Sequence, residues 1–240
     1  MSLNIAHRGF SGKYPENTMT AFKKAVEEKC DGIETDVQFT KDGEMVLCHD
    51  ELLDRTTNGS GLLVNYTFNE LRKLNASADF KNINEKIPTL KELLDLAKDS
   101  GIMLNLELKN SVIEYKGLEE KVIDMVHSYG LSGKVIISSF NHYSVKKCKE
   151  ISPEIKCGIL YLSVLHGAGS YTKSLGIDAC HPNFYTLKPY IVEEIKENGL
   201  KINTWTVNEE EYMKMMINMG IDGIITNYPD LLHNLLKKGI

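Results

Sequence analysis

At 240 residues, with 42% hydrophobic and 25% charged side chains, the chain has the size and composition of one soluble globular domain. A formal net charge of −5 argues against nucleic acid as the main partner, and no apolar run is long enough to span a membrane. Five scattered cysteines without CxxC spacing, and no charged and apolar leader, predict reduced thiols in a cytoplasmic protein.

Strand-like and helix-like segments alternate along the chain. The first apolar run, 3–7, ends on His7-Arg8-Gly9, and a helical pattern over 18–29 follows with Thr18 as its cap. The second run, 33–39, carries Glu34-Thr35-Asp36, and the third, 44–49, closes on His49-Asp50. Residues 50–88 then break the repeat, opening rich in Asn, Thr, Ser and Gly and carrying a short helical pattern near 67–74. The stretch exceeds the roughly 2–6 residues of an ordinary βα loop. Its apolar anchors Leu62, Leu63, Val64, Tyr66 and Phe68 predict a folded insertion over one end of the domain.

Alternation resumes with a helix over 89–99, capped by Thr89, and a strand over 102–108 that runs into Glu107-Leu108-Lys109. Helix and strand candidates follow in pairs: 114–129 with 134–138, 141–151 with 156–161, and 165–175 with 178–181. Two more pairs, 188–198 with 200–206 and 208–219 with 222–226, precede a last helix over 228–238. Asn208 and Asn227 are read as caps of the final two helices, with Pro229 just inside the second. Repeated β-then-α units imply a parallel sheet. Eight of them in this length favour a closed TIM (β/α)8 barrel, a single domain over 1–240, rather than an open doubly wound sheet. No GxGxxG follows the first strand, so a dinucleotide fingerprint is missing.

Four of the apolar runs are thus interrupted by charged or imidazole side chains at or near their C-terminal ends, which points to one shared site. Because side chains alternate along a strand, Glu34 and Asp36 share a face, as do Asn105, Glu107 and Lys109. Three inward carboxylates would repel each other in a closed site. A divalent cation relieves that repulsion, and an all-oxygen set suits Mg²⁺ or Ca²⁺ better than Zn²⁺. A salt-bridge cluster with Arg8 and Lys109 is the competing reading. His7 and His49 are the natural acid/base pair, since imidazole titrates near neutral pH. Of the 28 basic residues only Arg8, Arg55 and Arg72 are arginine, so Arg8 suggests a need for the guanidinium fork that binds phosphate or carboxylate. Trp205, the one tryptophan, is either core or a wall against a substrate's carbon skeleton. His181 closes its strand candidate, where lining the mouth and packing inside are equally good readings.

At these residues the chain resembles the glycerophosphodiester phosphodiesterase family. The matching pieces include His7-Arg8-Gly9, Pro15-Glu16-Asn17-Thr18, Glu34-Thr35-Asp36-Val37, His49-Asp50 and Asp54-Arg55-Thr56-Thr57-Asn58-Gly59. Glu107-Leu108-Lys109, Ser138-Ser139-Phe140, Trp205-Thr206-Val207-Asn208 and Asp222-Gly223-Ile224-Ile225-Thr226-Asn227 continue the series in the family's order. The resemblance implies a TIM barrel with an insertion at 50–88, hydrolysing deacylated phospholipids to glycerol 3-phosphate and an alcohol. By position it implies Glu34, Asp36 and Glu107 as metal ligands, with Mg²⁺ or Ca²⁺ usual. It gives His7 and His49 the general base and acid roles, with the order of the two left open, and Arg8 and Lys109 the phosphate. The attacking group is either the substrate's own glycerol hydroxyl or water.

Two enzyme alternatives keep the barrel and the histidines: the phosphatidylinositol-specific phospholipase C and spider-toxin phospholipase D types. Both act on membrane lipid and would favour an exposed apolar or basic rim, which the sequence does not reveal. A non-catalytic phosphodiester-binding barrel is the alternative from another class; a phosphosugar isomerase would not require three clustered carboxylates. The expected partner is a small glycerophosphodiester, with self-association left open.

Overall fold

The computed structural model describes residues 2–77, 80 and 83–239; positions 78, 79, 81 and 82 of the expected insertion lie outside it. Eight strands close into a parallel barrel. They are β1 (Leu3–His7), β2 (Gly32–Phe39), β4 (Met103–Leu108), β5 (Val135–Ser139), β6 (Lys156–Tyr161), β7 (Ala179–Pro182), β8 (Lys201–Thr204) and β9 (Gly223–Thr226). Each pairs with its chain neighbour in the ring, and β1 closes it by pairing with both β2 and β9. The remaining strand, β3 (Met45–Leu47), is antiparallel to β2 and stands outside the ring. An apolar run does not encode strand direction, so the candidate at 44–49 could not be told from a barrel stave.

Helices α1 (Met19–Glu27), α3 (Leu90–Ser100), α4 (Leu118–Tyr129), α5 (His142–Ile151), α6 (Ala168–Ser174), α7 (Pro189–Glu197), α8 (Glu210–Asn218) and α9 (Pro229–Lys238) surround the ring. The strands' outward residues, among them Ile33, Val37, Leu104, Leu106, Ile137, Ile159 and Ile202, form one core with Phe22, Leu90, Leu93, Val122 and Ile195 of the helices. Thr18 and Thr89 cap their helices as expected, Thr89 in a reciprocal capping box with Glu92. Asn208 and Asn227 do not. The caps are Glu209 and Tyr228, while both asparagines turn toward the end of β9 and the first strand.

Residues 50–88 contain α2 (Phe68–Leu71) and a small core of their own, in which Leu53, Leu63 and Leu71 are fully buried against Val46, Cys48 and Ile87. Burial of each such leucine is worth roughly 1.5–3 kcal/mol.

At the opposite end of the barrel one device occurs three times. Asp31, Asp178 and Asp222 each precede a strand, and each carboxylate accepts from the amide of the second residue of the strand before it: Asn4, Cys157 and Ile202. The Asp amide donates back to that same residue's carbonyl at 2.9, 3.1 and 3.0 Å. Two positions upstream stand Lys29, Gly176 and Gly220, all with φ between 58° and 72°, so the chain makes the same left-handed exit before each aspartate.

Candidate active site

Strand register assembles the site. His7 stands opposite Glu34 on β2, and Asp36 stands opposite Glu107 on β4. His7 and Glu107 lie at or next to the C-terminal ends of their strands, and this register brings Glu34 and Asp36 level with them, so all four are gathered at the same end of the barrel. A cavity of about 260 Å³ opens there, lined by His7, Arg8, Glu34, His49 and Glu107 on one side and Phe140, Leu162 and Trp205 on the other. His49 does not belong to a strand; it sits on the turn after β3.

Glu34, Asp36 and Glu107 are buried, and one oxygen from each can be chosen so that all lie within 4.8 Å of one another. Burial, with the charges of Asp36 and Glu107, raises Glu34 well above the usual carboxylate range. Burial and Asp36 push Glu107 up to about 7. Asp36 remains ionised, held down mainly by the Arg8 guanidinium. Its Oδ1 is buried with no hydrogen-bond partner among the described residues, while Oδ2 accepts from Asn17 at 2.9 Å. Three clustered carboxylates with one orphaned oxygen fit a hard divalent cation, because a cation supplies the missing partner and cancels the repulsion.

The two imidazoles have unlike partners. Nδ1 of His7 lies 2.6 Å from Oδ1 of Asn227, a neutral amide that also accepts from Ser11 Oγ at 3.1 Å. Burial, helped by the Arg8 charge, pushes His7 down to about 4. Nδ1 of His49 lies 2.6 Å from a carboxylate oxygen of Asp50. Asp50 is held ionised mainly by Arg55, whose guanidinium also makes two bonds to Glu16 at 2.7 and 2.8 Å. Glu16 in turn accepts from Arg8 at 2.8 Å, so an ion chain runs from the His7-Arg8 motif to the His49-Asp50 motif.

Arg8 lines the cavity, with its Nε 3.6 Å from Asp36. Lys109 is not among the lining residues; its ammonium lies beside Glu107 at 3.2 Å. Trp205 lines the cavity with its ring, packed edge-on against Phe140 at 5.5 Å, and its indole N–H donates inward to the His181 carbonyl. His181 is fully buried inside the barrel against Gly158, accepts from Asn203, and is pushed down to about 3 by desolvation. Of its two readings, the interior one holds. At the cavity's edge Leu162, and beyond it Tyr143 and Val164, are exposed apolar side chains, a rim that periodicity could not reveal. Sequence reasoning also assigned no site role to Asn227, Glu16, Arg55 or Phe140. Their one signal was membership in the matched motifs.

The fold and site define a (β/α)8-barrel enzyme whose chemistry sits at the C-terminal mouth. Residues 7–231 match the glycerophosphoryl diester phosphodiesterase family, and the chain belongs to that family of phosphoric diester hydrolases. It is 45% identical, over 99% of both chains, to a glycerophosphodiester phosphodiesterase of Caldanaerobacter subterraneus subsp. tengcongensis. Among solved structures, it is similar to a phosphodiesterase of Oleispira antarctica in complex with the product sn-glycerol-3-phosphate (31% identity, TM-score 0.86, 97% of this chain and 96% of that one). A putative glycerophosphoryl diester phosphodiesterase of Silicibacter pomeroyi also superposes, with TM-score 0.91 at 26% identity over 99% and 94% of the chains.

Proposed function

We propose that this enzyme hydrolyses glycerophosphodiesters to sn-glycerol 3-phosphate and an alcohol, as a single cytoplasmic domain whose 50–88 insertion lies over the barrel mouth. Glu34, Asp36 and Glu107 would hold Mg²⁺ or Ca²⁺, with His7 as general base and His49 as general acid. The observation that carries this reading is the unlike pairing of two imidazoles that face one cavity beside a carboxylate cluster. The product bound in the Oleispira antarctica relative supports the substrate class.

When bound, the cation offsets phosphate charge and stabilises the charge that builds on its oxygens. The remaining chemistry falls to the side chains. Asn227 accepts the Nδ1 proton of His7, which leaves the Nε2 lone pair free, and burial keeps the ring neutral. His7 takes the proton of the attacking hydroxyl, whether glycerol's own or water's. Asp50 accepts from Nδ1 of His49 and orients that ring, so Nε2 faces the departing alkoxide. Arg8 and Lys109 add two cationic groups for the phosphate, and Trp205 with Phe140 offers an apolar wall to the carbon skeleton.

The test is release of sn-glycerol 3-phosphate from glycerophosphocholine and glycerophosphoethanolamine, with chelator and after separate restoration of Mg²⁺ or Ca²⁺. Release restored by one cation is expected. Absence of release from folded, metal-loaded protein on both diesters overturns the reading.

A further inference from the structure

We propose that Gln38 is a positioning residue for His49, with Tyr115 fixing the direction of its amide; the inference rests on the reading of His49 as part of the acid/base pair. Gln38 is fully buried on β2 and is not among the residues lining the cavity. Its Nε2 lies 2.7 Å from the Cys48 carbonyl and 2.9 Å from that of Asp50, with the His49 carbonyl at 3.4 Å. Three consecutive peptide oxygens therefore converge on one side-chain nitrogen. Such convergence in a low-dielectric interior is unfavourable unless a donor stands among the oxygens.

The turn is what puts His49 into the mouth. β3 leaves the β2 ladder after Val37 pairs with Leu47, Cys48 keeps one backbone bond to the Asp36 carbonyl, and the chain then bends at His49 and Asp50. From there no ladder holds residues 49 and 50. Gln38 replaces the ladder with a side-chain clamp on their carbonyls. The amide must point its nitrogen at the turn, and Tyr115 enforces that direction: its hydroxyl donates to Gln38 Oε1 at 2.9 Å. Tyr115 is itself buried and packs edge-on against Phe39 at 5.9 Å, so the loop after β4 braces the turn after β3. On the far side Asp50, bonded to the His49 ring, is gripped by Arg55. Backbone and side chain of the motif are thus fixed from opposite directions, which a proton donor aimed at one leaving oxygen requires.

The experiment compares Gln38→Met and Tyr115→Phe with His49→Ala, on glycerophosphocholine and on glycerophospho-p-nitrophenol, whose leaving group needs no proton. Gln38→Met should lower kcat on glycerophosphocholine by about 10–100-fold, and Tyr115→Phe by about 3–10-fold, with KM and Mg²⁺ affinity within about twofold of wild type. On the p-nitrophenyl ester both losses should shrink in the same proportion as that of His49→Ala. Tyr115→Phe removes one oxygen from a well-packed ring, so the proposal stays testable if Gln38→Met does not fold. A kcat within twofold of wild type in the folded variants overturns it, as does a ratio of losses between the two esters that departs from that of His49→Ala. Equal losses on both esters in all three variants would retain the positioning role and remove the acid assignment.

Discussion

The side-chain oxygen of Asn227 lies 2.6 Å from Nδ1 of His7, across the seam where the last strand of the barrel meets the first. A neutral acceptor there orients the ring, and its hydrogen bond favours the charged form too little to offset burial and the Arg8 charge. Asn227→Asp would put a carboxylate in the same place and raise His7 from about 4 toward or past its ordinary value. Since the base works unprotonated, the acid limb of the kcat/KM profile should move up by about one pH unit or more, with activity recovering on the alkaline side. Asn227→Ala, which frees the ring, should cost about 10–100-fold at every pH. A profile over pH 5–9 separates the two; an unmoved acid limb in the aspartate variant removes His7 as the base.

His7→Ala and His49→Ala should each reduce turnover by about 10²–10⁴-fold, the usual worth of a positioned proton-transfer group. Neither ring is part of the apolar core, so melting temperatures should stay close to wild type. Near-wild-type turnover in either variant takes that residue out of the mechanism.

The raised carboxylates connect metal binding to pH. Without a cation, Glu34 and Glu107 are favoured as neutral acids in the folded chain, Glu107 up to about 7. Their contribution to stability is complete below the ordinary carboxylate value and is lost as pH rises through 7. Metal-free protein should therefore melt lower at pH 8 than at pH 6, and a divalent cation should raise the melting temperature more at pH 8. Below 7 protons compete with the cation, so its Kd should rise. Glu107→Gln should weaken Mg²⁺ or Ca²⁺ binding at least about tenfold and flatten the metal-free pH dependence. Calorimetry at both pH values checks this; unchanged affinity in Glu107→Gln refutes the ligand assignment.

The order of strands and helices was readable because each stave is an apolar run of the right length between turn signals, and the inward carboxylates follow from two-residue alternation on β2 and β4. What escaped were features set by tertiary context. Asn208 and Asn227 stand where caps stand in sequence, yet the end of β9 and His7 compete for their side chains and win. The helix expected from 114 starts at Leu118, after Gly117 turns left-handed with φ 84°, and Tyr115 just before it is hydrogen-bonded to Gln38. His181 closes its strand candidate, but that position says nothing of depth, and depth decides between mouth and interior.

Asp178→Ala should destabilise the fold by about 1–3 kcal/mol, since it leaves the amide of fully buried Cys157 without its acceptor and strips Lys149 of its carboxylate. The residue lies at the end of the barrel away from the mouth, so kcat should not change. Denaturant unfolding and a single kinetic assay measure both, and a fall in kcat without loss of stability contradicts the account.

The three aspartate hooks reach between chain neighbours at the strand starts, each closing a two-bond ring with the strand before it. Alignment of those staves is therefore settled at the floor, before the chain reaches the mouth. Of the loops at the mouth, the one after β7 still ties staves through the bridge of Asn183 to Trp205, whereas those after β5 and β6 carry less of that duty. They can be shortened, lengthened or exchanged to admit a different alcohol while the floor keeps the ring in step, much as a barrel's hoop holds whatever lid is fitted above it.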